Sequence, residues 1–152
     1  MWQNAHDAYL ESRVLSADPL ELVHLLYEAA IDAVRESRRH LAEGEIAARS
    51  RSVTRAFGIL QELVASLDHE RGGEISERLA QLYDYMQRRL LEANFRQTDE
   101  PLAEVLGLLA TLAEAWQGVK QESQAAEPVT SPWAQNPRVE APAGYGSSAW
   151  SF

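Results

Sequence analysis

A glutamate three residues ahead of a histidine, as in Glu21-Leu22-Val23-His24, sets two potential metal ligands on one side of a helix. A carboxylate-bridged di-metal site in a helical bundle takes two such pairs and one glutamate from each of two further helices. His6, His40 and His69 have no glutamate three residues upstream, so the second pair is missing and the ligand set cannot close. Glu21 then reads as part of a helix cap, and His24 as a surface residue one turn from Glu28. Nucleophilic catalysis fares no better, because it requires an activated Ser, Thr or Cys held by a base. The chain has no cysteine. Ser50, Ser52 and Thr54 are interleaved with Arg49, Arg51 and Arg55, which is the composition of a solvated, charged helix face or of an anion or partner contact. Gly72-Gly73 lacks the lysine and the preceding strand of a phosphate loop, so the pair is expected to stop a helix. What remains is aromatic. The tripeptide Leu-Tyr-acid occurs as Leu26-Tyr27-Glu28 and again as Leu82-Tyr83-Asp84, each inside a helical stripe with no catalytic group beside it. Tyr27, Tyr83 and Tyr85 either fill a core with their hydroxyls at its edge or line a groove between helices, where a rigid ring and one hydrogen bond suit a flexible amphipathic peptide.

The elements that would position these tyrosines follow from hydrophobic periodicity. Leu20, Val23, Tyr27, Ala30, Ile31, Val34 and Leu41 step by threes and fours along one helical face. Asp18 caps that helix, Pro19 suits its first position, Glu21 completes the capping pattern and Gly44 ends it. A second stripe comprises Val53, Ala56, Leu60, Leu63, Val64 and Leu67. A third, after the glycine pair, comprises Ile75, Leu79, Leu82, Met86, Leu90 and Ala93. The fourth runs through Leu102, Val105, Leu109, Leu112, Trp116 and Val119, with Asp99 and Glu100 at the end where the helix dipole favours acids and Trp116 as a core plug. Four helices of about twenty residues with short connections predict an all-α fold, an antiparallel up-down four-helix bundle with a short N-terminal cap segment and a disordered C-terminal tail. The expected divisions are residues 1–18 for the cap segment, 19–120 for the bundle and 121–152 for the tail.

With 152 residues, the chain is long enough for one core. Its net charge of −9 and pI of 4.9 argue against nucleic acid, and all but one of its 14 basic residues are Arg, which suits carboxylate pairing and coverage of apolar surface. Met1-Trp2-Gln3-Asn4-Ala5-His6-Asp7 has neither the charge nor the apolar run of a signal peptide. No stretch is expected to approach the ~18 apolar residues of a membrane span, so the expectation is a cytoplasmic protein with no membrane insertion. The tail holds four of the six prolines, yet also Trp133, Tyr145, Trp150 and Phe152, more aromatic surface than a plain linker carries. It is either a solvated appendage or a segment that docks on the bundle and competes with a ligand there.

In combination and in order, several landmarks resemble the FliS family of flagellar export chaperones. They are Tyr9, Ser16 to Pro19, Leu26 to Ile31, Arg55 to Leu63, Leu67-Asp68 with Gly72 to Ile75, Leu82 to Met86, Ala93-Asn94 and Trp116. Ser16 stands where a threonine is usual and Ala29 where a glycine is usual, both mild departures. The resemblance implies a chaperone without catalysis or cofactor that binds the disordered C-terminal segment of flagellin, prevents premature polymerisation and keeps it competent for export. It also implies a client groove at Tyr9, Tyr27, Ile59, Leu63, Tyr83 and Met86, with the segment around Tyr9 lying over the groove until client arrives. An export-gate component and an anti-sigma factor are further partners of such proteins, and a homodimer is compatible with the pattern. The alternative is a helical adaptor or regulatory protein that binds another amphipathic partner helix.

Overall fold

The computed structural model describes residues 5–11 and 18–126. Residues 5–11 form a short helix α1. The long helices are α2 (Pro19–Ala42), α3 (Ile46–Ala65), α4 (His69–Arg96) and α5 (Glu100–Ala126). Each long helix packs against two others, α2 on α3 and α5, and α4 on α3 and α5, which closes a square four-helix bundle with no strand among the described residues. The connections are three residues each, short enough to force antiparallel neighbours. Of the tail expected from residue 121, residues 121–126 continue α5 and the rest lies outside the described residues.

Local chemistry sets the helix ends. Asp18 accepts the Glu21 N–H at 2.8 Å with Pro19 in the first turn, as the sequence pattern predicts. Gly44, at φ +72°, supplies the left-handed residue that closes α2. The glycine pair at 72 and 73 does interrupt the helical geometry, but α3 has already ended at Ala65 before it. Asp68 caps a short first segment by taking the Glu70 and Arg71 N–H groups at 3.1 Å, and Gly73, non-helical at φ 50° and ψ −121°, separates it from the long remainder of α4. Gly72 is needed for space: a Cβ there would lie 1.8 Å from the Ser76 hydroxyl, which is itself held at 2.9 Å by the Asp68 carbonyl.

The fully buried apolar set is Tyr27, Ala30, Ala33 and Val34 of α2; Val53, Ala56, Leu60 and Leu63 of α3; Tyr83, Met86, Leu90 and Ala93 of α4; and Leu102, Val105 and Leu109 of α5. Each Leu, Val or Met buried in this way contributes roughly 1.5–3 kcal/mol of transfer free energy. Glu100–Val119 has a mean hydropathy of 1.2 and is long and apolar enough to cross a membrane, which the sequence reading did not expect of any segment. Here it is the fourth wall of the bundle: Leu102, Val105 and Leu109 face the core and Trp116 bonds to α2.

Candidate functional site

The six residues expected to form a groove divide sharply. Tyr27, Leu63, Tyr83 and Met86 are interior, none more than 1% exposed. The two tyrosines meet across the bundle, hydroxyl to hydroxyl, with ring centroids 6.5 Å apart and planes tilted by 52°. Trp116 adds a third member by donating its indole N–H to the Tyr27 hydroxyl at 3.0 Å. Two buried hydroxyls and one half-buried indole N–H thus satisfy one another at an apolar core, which reduces the penalty each would carry alone. Burial, the leading cause, pushes both phenol pKa values up, and the Tyr27–Tyr83 hydrogen bond raises Tyr83 further. Ile59 is half-buried against the same core. Tyr9 is 62% exposed on α1. That helix shares an open cleft of about 920 Å³, lined by His6, Asp7 and Leu10, with the polar side chains of Arg35, Arg39 and Arg55 rather than with an apolar trough.

Tyr85 points the other way from its neighbour Tyr83. It is at the surface, its hydroxyl donates to Glu104, and that bond raises its pKa. Arg89 reaches Glu92 at 2.8 Å and Glu104 at 3.3 Å, so the α4–α5 seam is sealed by a charged network. His24 sits 3.2 Å from Glu28, the surface pair that its spacing predicts. Among the described residues, His40, Glu43 and Glu45 bring one ligand atom each within 4.8 Å of one another at the α2–α3 turn, but both carboxylates are open to solvent and His40 already pairs with Glu45 at 3.3 Å.

A candidate docking surface does emerge, on the α3–α4 face. Phe95 is 87% exposed, and Leu91, four residues earlier and so on the same side of α4, is 52% exposed. Asn94, next to Phe95, accepts from the Arg49 guanidinium at 3.1 Å, which ties the last turns of α4 to the first turn of α3. Ile46, one turn before Arg49, is 58% exposed. Further along the same seam the Gln87 amide donates to the Phe57 carbonyl at 3.2 Å, and Phe57 is half-buried against the core. The strip Ile46, Phe57, Leu91 and Phe95 therefore lies over a complete core and is held by side-chain bonds on a rigid pair of helices. Large exposed apolar groups gathered on one face mark an interaction site rather than ordinary surface scatter.

Sequence reasoning did not single out Ile46, Leu91 or Phe95. The available signal was Leu91 and Phe95 themselves: an apolar pair four apart that falls outside the Leu79, Leu82, Met86, Leu90, Ala93 stripe and hence on another side of the helix.

A family model described as "Flagellar protein FliS" matches residues 2–123. The chain is 41% identical to the flagellar secretion chaperone FliS of Salmonella typhimurium over 115 residues, 75% of this chain and 85% of that protein. It is 34% identical to the flagellar secretion chaperone FliSB of Pseudomonas aeruginosa over 110 residues, 72% of this chain and 87% of that one. With the flagellar secretion chaperone FliS of Bacillus subtilis it shares 32% over 121 residues, 79% and 90% of the two chains.

Proposed function

The chain belongs to the FliS family of flagellar secretion chaperones, and from that premise we propose that it binds the disordered C-terminal segment of flagellin in the cytoplasm, prevents its premature polymerisation and keeps it ready for export. The observation that carries this reading is the exposed strip Ile46, Leu91 and Phe95 on a bundle whose interior is already full. An amphipathic segment that polymerises through its apolar stripe must have that stripe covered, and a fixed apolar face on two helices covers it as a transient helix, in the helix-on-groove mode. Binding is stoichiometric, and no bond is made or broken.

Within the expected groove, Ile59 and Tyr9 are the two residues left accessible; Tyr9 lies on α1, which shares a cleft with Arg35, Arg39 and Arg55 of α2 and α3, so we assign the pair a second client contact apart from the strip. Tyr27, Leu63, Tyr83 and Met86 act from beneath, fixing the spacing of the helices that carry the strip. The test is to mix the protein with the isolated flagellin segment and record circular dichroism. Helix in excess of the sum of the parts is the expected result. Strictly additive helix, with no binding at tens of micromolar, leaves the helical-adaptor alternative instead.

A further inference from the structure

The last turns of α4 and the first turn of α3 meet over a buried cation. Arg49 is only 4% exposed. Its Nε donates to the Asn94 side-chain oxygen at 3.1 Å and its Nη2 to the Asn94 carbonyl at 3.4 Å, both uncharged acceptors, and it forms no ion pair among the described residues. Arg38 and Arg89, the other described arginines that are not exposed, each have an acid, Asp99 at 2.8 Å and Glu92 at 2.8 Å. Glu45, one turn before Arg49, pairs with His40 at 3.3 Å instead. A guanidinium withdrawn from water needs more than neutral partners, and the carbonyl end of α4 supplies only a fraction of a charge. The third nitrogen, Nη1, has no bond among the described residues and is not shut off from solvent. The cation therefore keeps one open edge. That edge lies beside the docking strip, because Ile46 is three residues before Arg49 on the same side of α3 and Phe95 directly follows Asn94.

We infer that Arg49 is an anion anchor for the occupant of the strip, taking a carboxylate of the docked segment on Nη1. The inference rests on the flagellin reading and adds to it what the segment must carry. The anionic groups of an unmodified polypeptide are carboxylates, on acidic side chains or at the chain terminus. Ile46, Leu91 and Phe95 cover the apolar stripe, and a carboxylate at its edge supplies the charge that Asn94 leaves unmatched. A charge-assisted bond is stronger than a neutral one and fixes register, which an apolar strip alone does not.

The test is calorimetric titration of the flagellin C-terminal segment in three forms: every carboxylate converted to its amide, the terminal carboxylate alone kept, and the acidic side chains alone kept. The parent chain is expected to bind at least one carboxylate-bearing form about tenfold more tightly than the all-amide form, and the form it prefers identifies the source of the carboxylate. The preference should vanish in Arg49→Gln, return in part in Arg49→Lys and persist in Arg51→Gln, which removes an exposed arginine of the same helix. Equal binding of all three forms by the parent chain overturns the inference and leaves the flagellin reading in place, a comparison that needs no variant to fold. A preference that survives Arg49→Gln, or is lost in Arg51→Gln, overturns it as well. Failure of every form to bind overturns the flagellin reading and the anchor with it.

Discussion

The two ends of the bundle handle apolar surface in opposite ways. Where α2 and α4 finish and α3 and α5 begin, Arg38 grips Asp99 through two bonds of 2.8 and 2.9 Å and Arg49 reaches Asn94; Leu90, Ala93 and Leu102 are fully buried there, and the surplus apolar groups Ile46, Leu91 and Phe95 face outward. Where α2 and α4 begin, the polar groups are inside, in the Tyr27, Tyr83 and Trp116 set, and the apolar groups face inward but remain half-open. A tight core under an outward strip makes a preorganised docking face, which loses little freedom when a partner binds.

This contrast is most strongly tested by truncation in the core. Leu90→Ala, at a fully buried position, is expected to lower stability by about 2–5 kcal/mol, whereas Leu79→Ala, half-open at the other end, should lower it by about half that or less. Chemical denaturation of both variants measures the ratio, and equal losses would erase the distinction between the ends.

Next come the buried hydroxyls. Tyr27→Phe strands both the Trp116 indole N–H and the Tyr83 hydroxyl, so a loss of about 1–3 kcal/mol is expected; Tyr83→Phe leaves the Trp116–Tyr27 bond intact and should lose about 0.5–1.5 kcal/mol. Thermal unfolding of the pair checks that order, and a larger loss for Tyr83→Phe would contradict the three-member arrangement.

The smallest effect separates the ends by pH. Hydrogen bonds from Arg38 hold the Asp99 carboxyl below its usual range, so this pair's contribution is whole above the ordinary carboxylate pKa and fades as pH falls through the lowered value. Asp99 is about half exposed, so solvent screening limits the pair to about 0.2–1 kcal/mol. At the other end the raised phenol values favour the neutral hydroxyls in the fold, and their contribution is whole below pH 10.0 and fades above it. Asp99→Asn should therefore flatten the acid limb of a stability profile and leave the alkaline limb unchanged. Spectrophotometric titration should show Tyr27 and Tyr83 ionising only as the chain unfolds.

Much of the architecture was legible because it depends on local rules. The steps of three and four fixed the four helices and their inward faces, and Asp18, Pro19 and Gly44 announced the bounds of α2. The glycine pair does break the helical geometry, at Gly73, but Asp68, four residues before Gly72, caps a short segment ahead of it, so the boundary between α3 and α4 falls earlier than the pair. The site was less legible. Tyrosines in a stripe fit core and groove equally well in one dimension, and only the mutual bonding of Tyr27, Tyr83 and Trp116 across helices settles where two of them lie. Phe95 and Leu91 escaped notice because exposure is a property of what neighbouring helices fail to cover, which one helix's own sequence does not state.

The most direct measurement is calorimetric titration of the flagellin C-terminal segment into three proteins: the parent chain, Phe95→Asp and Ile75→Asp. Both substitutions fall at exposed positions and should leave the melting temperature nearly unchanged. The outward strip predicts that Phe95→Asp weakens binding at least tenfold while Ile75→Asp leaves it as it was. Undiminished binding by Phe95→Asp, or a loss confined to Ile75→Asp, would contradict it and move the client to the end where α2 and α4 begin.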